Sequence, residues 1–230
     1  YIAQKMKPYP DILLSICDSN FGMVQRDEEI AIHIRSLQDE FNWPNIFAAS
    51  TGKAHQDRVM KISSILQNKL AVYVSVQTTN SETLKIVNRK NLSTEKYVEL
   101  CKEIKRRGMS SVAEVILPMP KETKSSFFET INMFLSMGVD RIVPYTVMML
   151  TGTDLASQKF RREYGMKTKF RLLPRQFGDY SGQKCFEIEE VCITTDSMSF
   201  EDYLECTGFV FILSLWSGEQ FDIVRRHIKE

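Results

Sequence analysis

Between residues 12 and about 150, short apolar runs alternate with longer stretches in which apolar residues recur every three or four positions. This is the pattern of a parallel βα protein whose strands are buried on both faces. Strands are predicted over 12–17, 46–49, 70–76, 112–117 and 141–145. The first four run into polar or Gly/Pro-containing turns: Asp18-Ser19-Asn20-Phe21-Gly22, Ser50-Thr51-Gly52-Lys53, Gln77-Thr78-Thr79-Asn80 and Pro118-Met119-Pro120. Helices are predicted over 27–41, 94–107 and 125–137. The first places Ile30, Ile34, Leu37 and Phe41 on one stripe. The second follows Ser93, a good N-cap, and stops at Gly108. The third turns Phe127, Phe128, Ile131, Phe134 and Leu135 inward and ends at Gly138.

Repeated β-loop-α units with right-handed crossovers leave two architectures, an open doubly wound sheet or a barrel. Periodicity does not choose between them. Both place function at the C-terminal ends of the strands, so the polar turns are where chemistry is sought. After about residue 155 the pattern changes. Residues 160–171 read as a basic and aromatic connector, 187–195 as a strand, and 199–227 as a helix broken near Ser217-Gly218. This tail is an appendage without assigned chemistry.

With 230 residues and 43% hydrophobic content, the chain can bury one sizeable core. Thirty Lys+Arg against 29 Asp+Glu leave a formal charge of +1, which speaks against a nucleic-acid partner and against an acidic solvating tail. The longest apolar stretch, 209–216, is much shorter than the roughly 20 residues of a membrane-spanning helix. No signal-peptide pattern and no initiator Met open the chain, which reads like the interior of a longer, cytoplasmic protein. Five cysteines, at 17, 101, 185, 192 and 206, form no CxxC or CxxxCxxC motif and read as reduced thiols. The gaps among Cys185, Cys192 and Cys206 match no common zinc or cluster signature.

Three segments carry candidate chemistry. In the first, a buried strand breaks at Gln77 and restarts as a short helix that reaches Arg89. An amide that donates and accepts and a planar guanidinium suited to carboxylate can then serve one ligand, although a capped turn with a surface arginine has the same sequence. In the second, Glu114 interrupts the apolar run of the fourth strand, where a carboxylate needs a salt-bridge partner or a ligand. Further on, Glu122 and Thr123 are expected to cap the next helix. In the third, Asp18, Ser19 and Asn20 leave the first strand in a loop that Asx turns would also explain.

Together, the strand ending in Gln77, Arg89 twelve residues on, and the strand bearing Glu114 and ending Pro-Met-Pro-Lys-Glu-Thr resemble the SAM-binding half of radical S-adenosylmethionine (SAM) enzymes. The Asp-Ser-Asn-Phe-Gly loop and the following Arg-Asp-Glu-Glu-Ile resemble the branch that carries an N-terminal cobalamin-binding domain, which includes magnesium-protoporphyrin monomethyl ester cyclase and radical methyltransferases. The resemblance implies a partial (βα)6 TIM-like barrel of radical SAM type, strands two to six, over 1–157, with a mainly helical appendage over 158–230. It implies that Gln77 hydrogen-bonds SAM, Arg89 pairs with its carboxylate and Glu114 accepts from its ribose. By the same resemblance Asp18, Ser19 and Asn20 lie near the methionyl amino group, Ser50 and Thr51 line the cavity, and Tyr145 contacts adenine or substrate.

The implied cofactors are SAM, a [4Fe-4S] cluster and cobalamin. The implied partners are a small-molecule substrate and a flavodoxin- or ferredoxin-type reductant. The full enzyme would cleave SAM to a 5′-deoxyadenosyl radical, for cyclisation of a porphyrin-like substrate or for methyl transfer. Two departures stand out: Leu117-Pro118-Met119-Pro120-Lys121 replaces the usual glycine-bearing pattern, and the CxxxCxxC motif is missing. The cluster cysteines are therefore expected upstream of Tyr1, and the fragment alone is expected to be inactive. The rival readings are a non-radical α/β module for a nucleotide-like or anionic ligand, and an ordinary TIM-barrel enzyme using carboxylates and Lys53.

Overall fold

The computed structural model describes residues 1–52, 55–74 and 76–216. In chain order the elements are α1 (Ile2–Met6), β1 (Leu14–Phe21), α2 (Arg26–Phe41), β2 (Phe47–Thr51), α3 (Gln56–Ile65), β3 (Val72–Val74), α4 (Ser81–Ile86), α5 (Thr94–Arg106), β4 (Ser111–Leu117), α6 (Lys124–Met137), β5 (Arg141–Thr146), α7 (Gln158–Glu163), β6 (Lys167–Tyr180), β7 (Gln183–Thr194) and α8 (Phe200–Trp216). They form two compact units. The first takes in Leu92–Ala113, Leu135–Arg141 and the described residues up to Val74; the second takes in Val76–Asn91, Glu114–Phe134 and the described residues from Ile142 on.

In the first unit β1 and β2 pair in parallel, Leu14 with Phe47, Ser15 with Ala48 and Ile16 with Ala49. Phe47 and Ala49 turn into a core with Phe21, Ala31, Ile34, Ile62, Leu66 and Leu70. Their neighbours Ser15, Ala48 and Ser50 are exposed. The expected burial on both faces therefore fails for these strands, because the helices of this unit cover one face and small or polar residues occupy the other. On α2 the buried stripe is Asp27, Ala31, Ile34 and Gln38, one position off the expected one. Polar side chains can join it because each is engaged: Asp27 accepts from the Gly22 and Val24 N–H groups (2.8 and 3.2 Å), and Gln38 donates to the Pro44 carbonyl (2.7 Å). Gly22 has φ +96°, and a Cβ there would sit 2.8 Å from a Val59 methyl, so glycine is required. β3 pairs in parallel with β4 through Val72–Ser111, Tyr73–Val112 and Val74–Ala113. α5 starts at Ser93, whose hydroxyl accepts from the Lys96 N–H, and is followed by Gly108 at φ +67°.

In the second unit β4 neighbours β5. The chain then continues into a core of Met119, Val147, Met149, Met166 and Cys192. Among the described residues the appendage holds strands as well as helices. β6 and β7 make a long antiparallel hairpin, turned at Ser181 and Gly182 with φ 55° and 86° and tied by Gly182 N–H to Asp179 Oδ1 at 2.8 Å. Two successive positive φ angles are what a two-residue hairpin turn needs to match strand twist. α8 follows the hairpin. The expected break near Ser217-Gly218, the rest of that helix and Lys53 lie outside the described residues. No described helix is long and apolar enough to cross a membrane.

Candidate functional site

Alternation along β4 separates its side chains: Val115 and Leu117 are buried, whereas Glu114 and Ile116 are half-buried on the other face. Gln77 accepts the Ile116 N–H at 3.4 Å through its carbonyl, so the chain after β3 stays alongside β4. Among the described residues, the Glu114 carboxylate has no ion-pair or hydrogen-bond partner, so the salt-bridge explanation for its position finds no support.

The segment after Gln77 is held at several points. Asn80 caps α4 by accepting from Glu82 and Thr83 N–H (3.0 and 3.1 Å), and its amide donates to the Lys121 carbonyl at 2.9 Å. Thr83 donates to the Pro120 carbonyl at 2.8 Å, and Asn91 to the Thr78 carbonyl at 2.8 Å. α4 ends in a Schellman motif: Asn88 sits at φ 51° with its N–H on Lys85 O (3.2 Å), and Arg89 N–H bonds Leu84 O (2.8 Å). Arg89 thus leaves a pinned backbone, with its side chain exposed and no ion pair among the described residues. A fixed cation, a half-buried acceptor and an amide suit a ligand with a carboxylate and hydroxyls. Tyr145 is exposed on β5. The cap at Asn80 and the tie from Thr83 to Pro120 were missed in the sequence, although Asn before Ser-Glu-Thr is a helix-start signal.

In the first unit β1 runs on to Phe21 instead of ending at Cys17. Pairing jumps from Ile16–Ala49 to Phe21–Thr51, so Asp18, Ser19 and Asn20 bulge opposite Ser50. Asp18 Oδ1 accepts from Asn20 N–H at 2.8 Å, as an Asx turn does. Asp18, Ser19, Asn20 and Ser50 are exposed, whereas Thr51 is buried and its hydroxyl accepts from Tyr73 N–H at 3.2 Å. Thr51 thus holds β2 to β3.

Glu122 departs from its expected capping role. Thr123 caps α6 alone, in a reciprocal pair with Ser126: each backbone N–H donates to the other hydroxyl (3.0 and 3.1 Å). Glu122 is 1% exposed, takes a hydrogen bond from Ser126 on Oε1, and leaves Oε2 without a partner. Burial raises its carboxyl above 4.5, against the lowering effect of the Ser126 hydrogen bond and the nearby Thr78 hydroxyl, while nearby Glu129 adds to the rise. Near the hairpin base, Arg161 donates Nη2 to Glu190 Oε2 at 2.8 Å and Nε to the Ala156 carbonyl at 3.0 Å, and its Nη1 serves Oε1. Arg161 and the Thr168 hydroxyl hold Glu190 down at about 2. Arg161 and Glu190 border an open recess of about 400 Å³, but this arginine is already committed to its carboxylate. Burial pushes the Cys192 and Cys206 thiols up to about 11, and no group of three His, Cys, Asp or Glu among the described residues could hold a metal.

The model of the Radical SAM superfamily matches residues 24–134. Residues 24–134 are thus similar to the radical SAM superfamily. Two curated relatives are the 2-(S-pantetheinyl)-carbapenam-3-carboxylate methyltransferase of Streptantibioticus cattleyicolor, 28% identical, and the cobalamin-dependent radical SAM methyltransferase TokK of Streptomyces tokunonensis, 27% identical. Each alignment covers 86% of this chain, which spans only 29% of the relative's length. Among solved structures, the radical SAM methyltransferase TsrM of Kitasatospora setae, with tryptophan substrate and a SAM analog bound, aligns at TM-score 0.53 and 10% identity. That alignment covers 74% of this chain and 34% of TsrM. At that identity the likeness concerns the fold, an α/β radical SAM fold. The radical SAM match contains Ser50, Thr51, Gln77, Arg89 and Glu114, while Asp18, Ser19, Asn20 and Tyr145 lie outside it. Arg89 and Glu114, neither with a partner among the described residues, supply a cation and an acceptor of the kinds SAM calls for. A [4Fe-4S] cluster does not, because the five cysteines form no CxxxCxxC motif and no described cysteine group could hold a metal.

Proposed function

We propose that this chain is the SAM-binding part of a cobalamin-dependent radical SAM methyltransferase acting on a small molecule. The observation that carries the proposal is the pairing of a backbone-pinned Arg89, without an ion pair among the described residues, with an unpartnered, half-buried Glu114 one strand away from Gln77. The methyltransferase relatives support methyl transfer over cyclisation. Residues 1–157 would form a partial (βα)6 barrel, with 158–230 as its extension.

Bound SAM supplies a sulfonium whose carbon–sulfur bonds open to methyl transfer or to one-electron reduction. The protein's part is to bind and orient. Arg89 would pair bidentately with the methionyl carboxylate, Glu114 would accept from the ribose hydroxyls and Gln77 would hydrogen-bond the polar edge between them. Tyr145, in the same unit, would face the adenine or substrate side. No step through an iron–sulfur cluster is assigned to this chain's residues; the working enzyme would draw electrons from a flavodoxin- or ferredoxin-type reductant in the cytoplasm.

Equilibrium dialysis with labelled SAM tests the reading. Saturable binding is expected, weakened about 10-fold in Glu114→Ala, the scale of a hydrogen bond to a charged group. Absence of saturable binding, or equal affinity in the variant, would overturn it.

A further inference from the structure

The β6–β7 hairpin carries an apolar face that is exposed among the described residues. The register pairs Leu172 with Ile188 and Phe177 with Phe186, and pleating puts Phe170 on the same side. The two phenylalanine rings stack across the strands at 6.2 Å. Exposure is 68% for Phe170, 64% for Leu172, 72% for Phe177, 61% for Phe186 and 58% for Ile188. At the base, β7 is also bonded to the chain after β5, through Met149 N–H to Glu190 O and Cys192 N–H to Val147 O, both at 2.9 Å. Farther out the hairpin has two strands only, and a two-stranded ribbon in water is marginal unless something covers it.

We propose that the cover is a second copy of this chain, with two hairpins packed face to face about a two-fold axis. Area supports this occupant. With a buried aromatic ring worth about 150–250 Å², five side chains at these exposures offer roughly 600–700 Å² per chain. Two copies then bury about 1,200–1,400 Å², which enters the range of specific interfaces. Charge supports it as well. A two-fold axis brings the same patch to both sides, so any unpaired charge would meet its own kind. On this face Glu190 is already neutralised by Arg161, and Asp179 lies in register with Lys184. On the opposite face Arg171 pairs with Glu189 at 2.5 Å and Lys169 lies over the Phe200 ring. Four strands in two layers with an apolar interior is the arrangement such a face fits.

Sedimentation equilibrium of the chain from about 1 to 100 μM, under reducing conditions so that exposed Cys17 and Cys185 cannot cross-link, tests this inference. The expected mass rises to twice the 26.7 kDa of one chain. Phe177→Ser combined with Phe186→Ser should raise the dimer dissociation constant roughly 100-fold or more, since four exposed rings leave the interface. Arg171→Gln, on the opposite face, should leave it unchanged. If circular dichroism shows that the double variant does not fold, the milder Ile188→Thr should weaken the dimer about 10-fold. A monomer at every concentration, or variants that associate as tightly as the parent chain, would overturn the proposal.

Discussion

Replacing Glu122 with Gln is expected to stabilise the protein at alkaline pH and to do nothing at acid pH. The carboxyl is 1% exposed, has one unpartnered oxygen and no cation beside it, and burial is the first cause of its raised proton affinity. Below its ordinary value of 4.5, folded and unfolded chains both hold the proton and Glu122 exacts no ionisation penalty. As pH rises, the unfolded chain ionises first, so stability falls until the folded carboxyl has also lost its proton. Gln carries no charge and keeps the Ser126 contact, so it escapes only the ionisation penalty. An ionised carboxylate left buried with an unsatisfied oxygen costs about 1–3 kcal/mol. For a chain of this size that is a rise in Tm of roughly 2–10 °C at pH 8, shrinking towards zero near pH 4. Thermal unfolding of both proteins at the two pH values measures the difference. A variant equally shifted at both pH values, or destabilised at pH 8, would show that the carboxyl is not a buried acid.

Glu190→Gln should act in the opposite sense. Arg161 and Thr168 hold Glu190 at about 2, so its stabilisation is full above 4.5 and fades as pH falls towards 2; the variant should lose about 1–2 kcal/mol at pH 7 and match the parent near pH 2 in urea titrations. Asn80→Ala removes the α4 cap and the tie to Lys121, and should cost about 1–2 kcal/mol in thermal unfolding. The same variant should also weaken SAM binding about threefold through looser placement of Arg89, and Asn80→Asp, which keeps the cap, should recover part of that loss.

The βα half of the fold was legible because its signals are local. Ser93 and Gly108 bracket α5, Gly138 follows α6, and the apolar run of β4 sits where the pattern put it. α3 was missed: it starts from His55 in a left-handed conformation and opens with three polar residues, so nothing announces it. One-sided burial of β1 and β2 was misread because Ile, Leu and Ala runs look the same whether one face or two are covered. The hairpin was hidden by its charges. Lys169, Phe170, Arg171 and Leu172 alternate with strand period, but the basic residues read more readily as a connector. Of the site, Gln77 at a strand end and Glu114 within an apolar strand were legible from the sequence. The pinning of Arg89 could not, since it depends on Asn80 and Thr83 reaching carbonyls 41 and 37 residues away. Glu122 was misassigned for a related reason: a capping position and a buried one share the same local sequence, and only tertiary packing separates them.

The central claim is that Arg89 holds the methionyl carboxylate of SAM. Affinity of the parent chain and of Arg89→Ala for SAM and for decarboxylated SAM, measured side by side by equilibrium dialysis, isolates that one contact. A charge-assisted bidentate pair is worth about 1.5–3 kcal/mol, so the variant should bind SAM roughly 10- to 100-fold more weakly, and the two proteins should bind decarboxylated SAM alike. Equal affinity of parent and variant for SAM, or the same loss for both ligands, would contradict the account.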